Sequence, residues 1–214
     1  MSWRNLDWLD VERQEYETAL NDRVREAYLA AYSVLNKTFR ARKQLYELEA
    51  AEAKNDAMFE DTIQQITYVE FRWDEQTQAL AVMALSLLAT LNKSFLDQLK
   101  ALFDKSHAPD PKGYDGKSEL QRRIAEYYAR FGIALEKLDA FETVREVELA
   151  RNCCLHCQGE VTDDYRNQTQ QRLVGNDGKI NITPELLDRV IVELARFSRE
   201  LSDQLKNVRE KTNR

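Results

Sequence analysis

The chain has 214 residues, with 31 Lys and Arg set against 37 Asp and Glu, a formal charge of −6 with both histidines neutral. At 43% apolar and 32% charged, with six Gly and three Pro, the composition fits one ordinary helical domain, alone or with an extension, better than a sandwich, a barrel or a disordered chain. The acidic balance argues against a broad basic surface for nucleic acid, so any RNA site must be a local feature. The three cysteines, Cys153, Cys154 and Cys157, fall in one short window, too close together to staple distant elements. A disulfide scaffold is excluded on that pattern, and a reducing compartment is expected. The opening MSWRNLDWLD is acidic and aromatic and does not read as a secretory signal, so the expected location is cytoplasmic.

From about Asp10 to Asn55 apolar residues recur at three- and four-residue steps through Tyr16, Leu20, Val24, Tyr28, Leu35 and Phe39, with no Gly or Pro between. One long amphipathic helix is predicted. Asn55, Asp56 and Asp61 supply a break and a new N-cap, and a second periodic stretch runs through Ile63, Val69, Leu80, Leu87 and Phe95 to Phe103. A short link between two long helices implies an antiparallel hairpin. The second helix holds the uncharged run Gln76 to Asn92, whose apolar part covers Ala79 to Leu91. That is short of the roughly 20 residues a membrane span needs, so a core helix is predicted and no membrane partner is expected.

Residues 105–117, KSHAPDPKGYDGK, read as a loop, with His107 a solvated loop residue. Ser118 and Gln121 form a capping-box signature that opens a third helix ending at Gly132. A fourth helix is predicted through Leu135, Leu138, Phe141, Val144, Val147 and Leu149 into ARNCCLHCQG. Gly159 to Asn181 reads as irregular, with GNDGKINI a short extended piece. Thr183, Pro184 and Glu185 then give an N-cap, a first-turn proline and a first-turn acid. The final helix carries Leu186, Val190, Leu194, Phe197, Leu201 and Leu205 into the basic tail KNVREKTNR. The expected fold is all-α: an up-and-down bundle of four to five principal helices with a long N-terminal antiparallel helical hairpin. Its divisions are 1–60, an extension or first bundle helix; 61–205, the main helical domain; and 206–214, the tail.

The chemistry-bearing pattern is Arg151-Asn152-x3-His156. His has the unperturbed pKa nearest neutrality and can move protons, while Arg stays cationic and offers a planar donor fork to phosphate. On a continuous helix five residues rise about 7.5 Å and rotate about 140°, so Arg151 and His156 point different ways. Asn152 and His156, four apart, share a face, and Glu148 is placed to orient either partner as a supporting residue. The cysteines with His156 make only a weak zinc pattern, since His107 is the one other histidine and there is no second CxxC; no metal site or cofactor is assigned. Cys153 and Cys157 are expected to pack inward, and Trp3, Trp8 and Trp73 to be core or dimer contacts.

The segment ELARNCCLHCQGEVTDDYRN, with YYARFGIALEKLDAFETVREV before it and NDGKINITPELLDRVIVELARFSREL after it, resembles the HEPN superfamily. These are helical ribonuclease and nucleotide-binding domains of toxin–antitoxin, abortive-infection and CRISPR systems. Their R-x4–6-H signature is matched by Arg151, Asn152 and His156, and Gly159 falls where many members carry a glycine. The likeness covers about Asp61 to Leu205. It implies a metal-independent endoribonuclease of a prokaryotic defence or toxin system, cleaving RNA by 2′-hydroxyl attack at a composite homodimer site. It also implies catalytic roles for Arg151, Asn152 and His156. An antitoxin or defence-system partner stays open, although Gln158 stands where members partnered by a nucleotidyltransferase antitoxin often have Tyr. The alternatives are a non-catalytic HEPN module that binds RNA, nucleotide or a partner protein, and a helical scaffold.

Overall fold

In the computed structural model, which describes residues 4–103, 118–175 and 177–212, the N-terminal helix is one continuous rod. It comprises α1 (Arg4–Ala19), a π-helical stretch Leu20–Glu26, and α2 (Ala27–Ala51). Sequence periodicity alone predicted an ordinary helix here, and the π turn has a physical reason. The buried stripe Tyr16, Leu20, Val24 and Tyr28 advances in strict four-residue steps. Each such step overshoots a 3.6-residue turn by about 40°, and wider i→i+5 turns take that drift back and keep the stripe on the core.

After the link at residues 52–55, Asn55 caps α3 (Asp56–Phe103) by accepting a hydrogen bond from the Met58 amide at 2.9 Å. The hairpin is therefore antiparallel, as its short link requires. Near its base Phe39 stacks on Trp73 at 4.8 Å and Lys43 pairs with Glu70 at 2.6 Å, while Leu45, Leu48, Met58, Phe59 and Ile63 farther out are exposed. Trp73 is thus partly buried, Trp8 is exposed, and Trp3 lies outside the described residues. Contrary to the expectation from the short apolar run, α3 is long and apolar enough to cross a membrane by length and composition. Its buried side chains, Leu80, Ala84, Leu85, Leu88, Phe95, Leu96 and Leu99, form the middle of the bundle core.

The loop predicted at 105–117, with His107, lies outside the described residues. Next, α4 (Glu119–Phe131) opens on the predicted capping box, the Gln121 amide donating to Ser118 Oγ at 3.2 Å and the Ser118 amide to Gln121 Oε1 at 3.1 Å. Gly132, at φ 67°, closes it in the left-handed region. The fourth predicted helix begins later than its periodicity implied. Leu135 lies in a separate 3-10 turn, Leu135–Lys137, flanked by extended backbone at Ala134 and Leu138, and α5 runs only over Phe141–Cys157. Leu135 keeps its core position because the turn plugs it directly into the bundle.

The region predicted as irregular contains a short helix, α6 (Asp163–Gln168), capped by Thr162 and carrying Asp163 and Asp164 in its first turn. Around it, isolated bridges pair Glu160 with Lys179 and Val174 with Ile180, the short extended pairing expected of the GNDGKINI segment. Finally α7 (Pro184–Thr212) starts at the predicted cap, with the Leu186 amide donating to Thr183 Oγ1 at 3.3 Å. Residues 206–212 of the basic tail continue this helix, and Lys206 pairs with Asp10 at 3.1 Å. Two further ion pairs, Arg25 with Asp188 at 2.7 Å and Arg199 with Glu17 at 3.0 Å, tie α7 to the N-terminal rod. Such exposed pairs contribute little individually, and the buried contacts of Leu187, Leu194, Phe197 and Leu201 hold the helix.

Candidate functional site

The motif helix α5 is fixed by its own buried face. Val144, Val147, Ala150 and Cys154 recur at three- and four-residue steps and enter the core, which leaves Glu148, Arg151 and Asn152 partly exposed and His156 exposed. A second anchor is polar. Glu146, only 1% exposed, accepts from the Tyr165 hydroxyl at 2.8 Å, the Arg172 amide at 2.6 Å and Arg172 Nε at 2.6 Å. Arg172 Nη2 also donates to Thr143 Oγ1 at 3.1 Å. With its partners in place, this buried carboxylate pins the irregular segment to α5. Burial, and then the charge of Glu146, pushes the Tyr165 hydroxyl well above its ordinary value, so it remains a donor.

The helix stops abruptly at Cys157, one residue after His156. Gln158 and Gly159 are both left-handed, at φ 52° and 84°, and the Gly159 amide donates to Cys153 O at 3.1 Å. A Cβ on Gly159 would lie 2.5 Å from Gln78 Nε2, so glycine here serves both the turn and the close approach of α3. Gln78 Nε2 in turn donates to Cys154 Sγ at 3.5 Å, and Cys153 Sγ lies 3.5 Å from Thr162 Oγ1. Cys153 and Cys154 are buried, whereas Cys157, expected to pack inward, is only partly so. Burial, then the neighbouring Cys153, pushes the Cys154 thiol up to about 11, which makes it a packing residue rather than a nucleophile. Among the described residues, no three His, Cys, Asp or Glu side chains come together as a metal site.

Arg151 opens onto a cleft of about 330 Å³ between α3, α4 and α5. Its walls are Ala89, Thr90, Asn92, Lys93 and Leu96 from α3, Glu119, Leu120 and Arg123 from α4, and Val144, Glu148 and Arg151 from α5. Two of its three cations are committed. Lys93 pairs with Glu119 at 2.5 Å, while Arg123 pairs with Glu119 and with Asp97, both at 3.1 Å. Glu119 is held below the usual carboxylate range first by its hydrogen bond from Lys93 and then by Arg123. By contrast, the one side-chain hydrogen bond of Arg151 among the described residues is a long one to Asn152 Oδ1 at 3.5 Å. Glu148, expected to hold one of the motif residues, pairs with neither.

Comparison with protein-family models, with curated proteins and with solved structures finds no match. The site therefore rests on its own geometry. Arg151, Asn152 and Glu148 are brought together; His156 is not. It lies on the last turn of α5 beside the exposed Leu155 and does not line the Arg151 cleft, as the rotation between the two positions anticipated. Sequence reasoning missed the α3 and α4 walls of this cleft. One signal was present: Asn92 occupies the core register of α3, four residues after Leu88 and four before Leu96, where every neighbour in that stripe is apolar. A buried amide at such a position marks a place where a polar group has work to do.

Proposed function

We propose that this chain is a HEPN-type endoribonuclease of a prokaryotic defence or toxin system, working in the cytosol as a homodimer without a metal. The observation that carries the reading is the uncommitted guanidinium of Arg151. In a chain with an excess of acids, it ends in an open cleft with no carboxylate partner among the described residues, while the other cleft cations are paired. A free guanidinium at a concave site is suited to phosphate, whose oxygens match its donor fork.

In this reading the RNA 2′-oxygen attacks the adjacent phosphorus, a 2′-O–P bond forms, and the P–O5′ bond breaks. The products are a 2′,3′-cyclic phosphate and a 5′-hydroxyl. The His156 imidazole takes the 2′-hydroxyl proton and, protonated by that transfer, gives a proton to the leaving O5′. Arg151 offsets the charge that develops on the phosphorane, and Asn152, bonded to Arg151, positions the scissile group. Because Arg151 and His156 diverge on one helix, the reaction needs a second copy that lays its α5 across the first. The exposed Leu155 beside His156 gives such a copy an apolar contact.

The same divergence favours a second reading, a non-catalytic module that holds RNA or nucleotide at Arg151 alone. Incubating the purified protein with total RNA in EDTA separates the two. Cleavage that disappears in both Arg151→Ala and His156→Ala, with helicity intact, supports the ribonuclease. Binding without cleavage supports the module.

A further inference from the structure

The cleft beside Arg151 holds more unmet hydrogen-bonding capacity than a phosphate site requires. Asn92 is 4% exposed, and its side-chain oxygen accepts from the Tyr16 hydroxyl. Its amide nitrogen has no acceptor among the described residues, although Asn92 forms part of the cleft wall. With the oxygen turned to Tyr16, the two amide hydrogens are what this residue leaves to the cleft. That nitrogen has no protein acceptor among the described residues, so a ligand acceptor placed in the cleft would gain a hydrogen bond there.

Glu148 is the complementary group. Its carboxylate lines the same cleft and accepts no hydrogen bond among the described residues. The other polar groups are spent: Lys93 and Arg123 on acids, and the Thr90 hydroxyl on the Ser86 carbonyl at 2.8 Å. Between the polar groups lie Ala89, Leu96, Leu120 and Val144, an apolar surface for a flat ring. At about 330 Å³ the space sits at the small end of ligand sites, which run from roughly 300 to 1,000 Å³, and suits one base or mononucleotide.

We infer that the cleft is a guanine subsite, in which Glu148 and Asn92 read the base and Arg151 holds the attached phosphate. An ionised carboxylate is acceptor-only, so it needs donors side by side. Guanine alone among the RNA bases presents two adjacent donors, N1–H and the N2 amine, with the O6 acceptor next to them for the Asn92 amide. Adenine and cytosine would turn a ring nitrogen lone pair toward Glu148, and uracil offers a single N–H flanked by carbonyls. The base must be unpaired to enter, so the substrate is single-stranded RNA carrying guanosine next to the scissile phosphate.

This assignment rests on the RNA-cleaving reading for its substrate, but not for its test. Titrating the intact protein with GMP, AMP, CMP and UMP by calorimetry in EDTA measures the subsite without cleavage. GMP is expected to bind at least tenfold more tightly than the others, the size of one good bidentate base contact. Glu148→Gln is expected to remove that preference. Asn92→Asp, which keeps the acceptor for Tyr16 and loses the donors, is expected to weaken GMP by a similar factor, with circular dichroism verifying the fold. Equal affinities for the four nucleotides, or a GMP preference untouched by Glu148→Gln, overturns the guanine subsite even if RNA is cleaved. GMP selectivity without any RNA cleavage leaves the subsite standing and removes the ribonuclease reading.

Discussion

Glu148 and Arg151 stand one helical turn apart on α5 and line the same cleft, yet they form no ion pair with each other. Opposite charges at this spacing commonly pair on helices. Here both stay available to something else, while Lys93, Arg123 and Glu119 close into a network on the opposite wall.

That network makes the cleft pH-sensitive in one direction. The Glu119 carboxyl is held below its ordinary value by the Lys93 hydrogen bond and then by Arg123, so its folded pKa is lower than its unfolded one. Its contribution is present above the unfolded value, near 4.3, and is lost as pH falls through the lower folded value. Amide protection factors across α4, the exchange rates corrected for their intrinsic pH dependence, are expected to fall below about pH 4. In Glu119→Gln, α4 should exchange faster at neutral pH and show less acid dependence.

Removing the Glu146 carboxylate strands the Tyr165 hydroxyl and the Arg172 guanidinium. Glu146→Ala is expected to cost about 3 kcal/mol in urea unfolding, the low end for breaking a buried pair because Arg172 is partly exposed. A loss under 1 kcal/mol would show that the irregular segment is held by its apolar contacts alone.

Gly159 combines a left-handed backbone with the approach of Gln78. Gly159→Ala is expected to cost about 1–2 kcal/mol for the left-handed conformation, plus the displacement of Gln78. Adding Gln78→Ala should recover the second part and not the first, which a double-mutant cycle by thermal unfolding measures.

Much of the fold was legible in the residues because caps and stripes are local. The Ser118–Gln121 box, Gly132 and the Thr183-Pro184 start each appear where they were expected. The start of α5 was not legible: Leu135 and Leu138 continue the apolar spacing, but the chain turns through a 3-10 segment before the helix begins. The short α6 was missed although Thr162-Asp163-Asp164 is a capping pattern, because six residues are too few for periodicity to show. At the site, the divergence of Arg151 and His156 followed from helix geometry. The cleft did not, since its walls come from α3 and α4 and only packing brings them to α5.

A site shared between two copies is the centre of the proposed function, and mixing two inactive variants probes it most directly. Arg151→Ala retains His156, and His156→Ala retains Arg151. Each homodimer alone is expected to lose at least a hundredfold of RNA cleavage, in line with removal of a charge-stabilising donor or a general acid–base group. Unfolded together and refolded at equal concentration, they form mixed dimers that hold one Arg151 and one His156 on different chains. Cleavage of total RNA in EDTA is expected to return to a measurable fraction of the wild-type rate. A mixture that stays as inactive as its parents, while the wild type cleaves, would contradict a composite site.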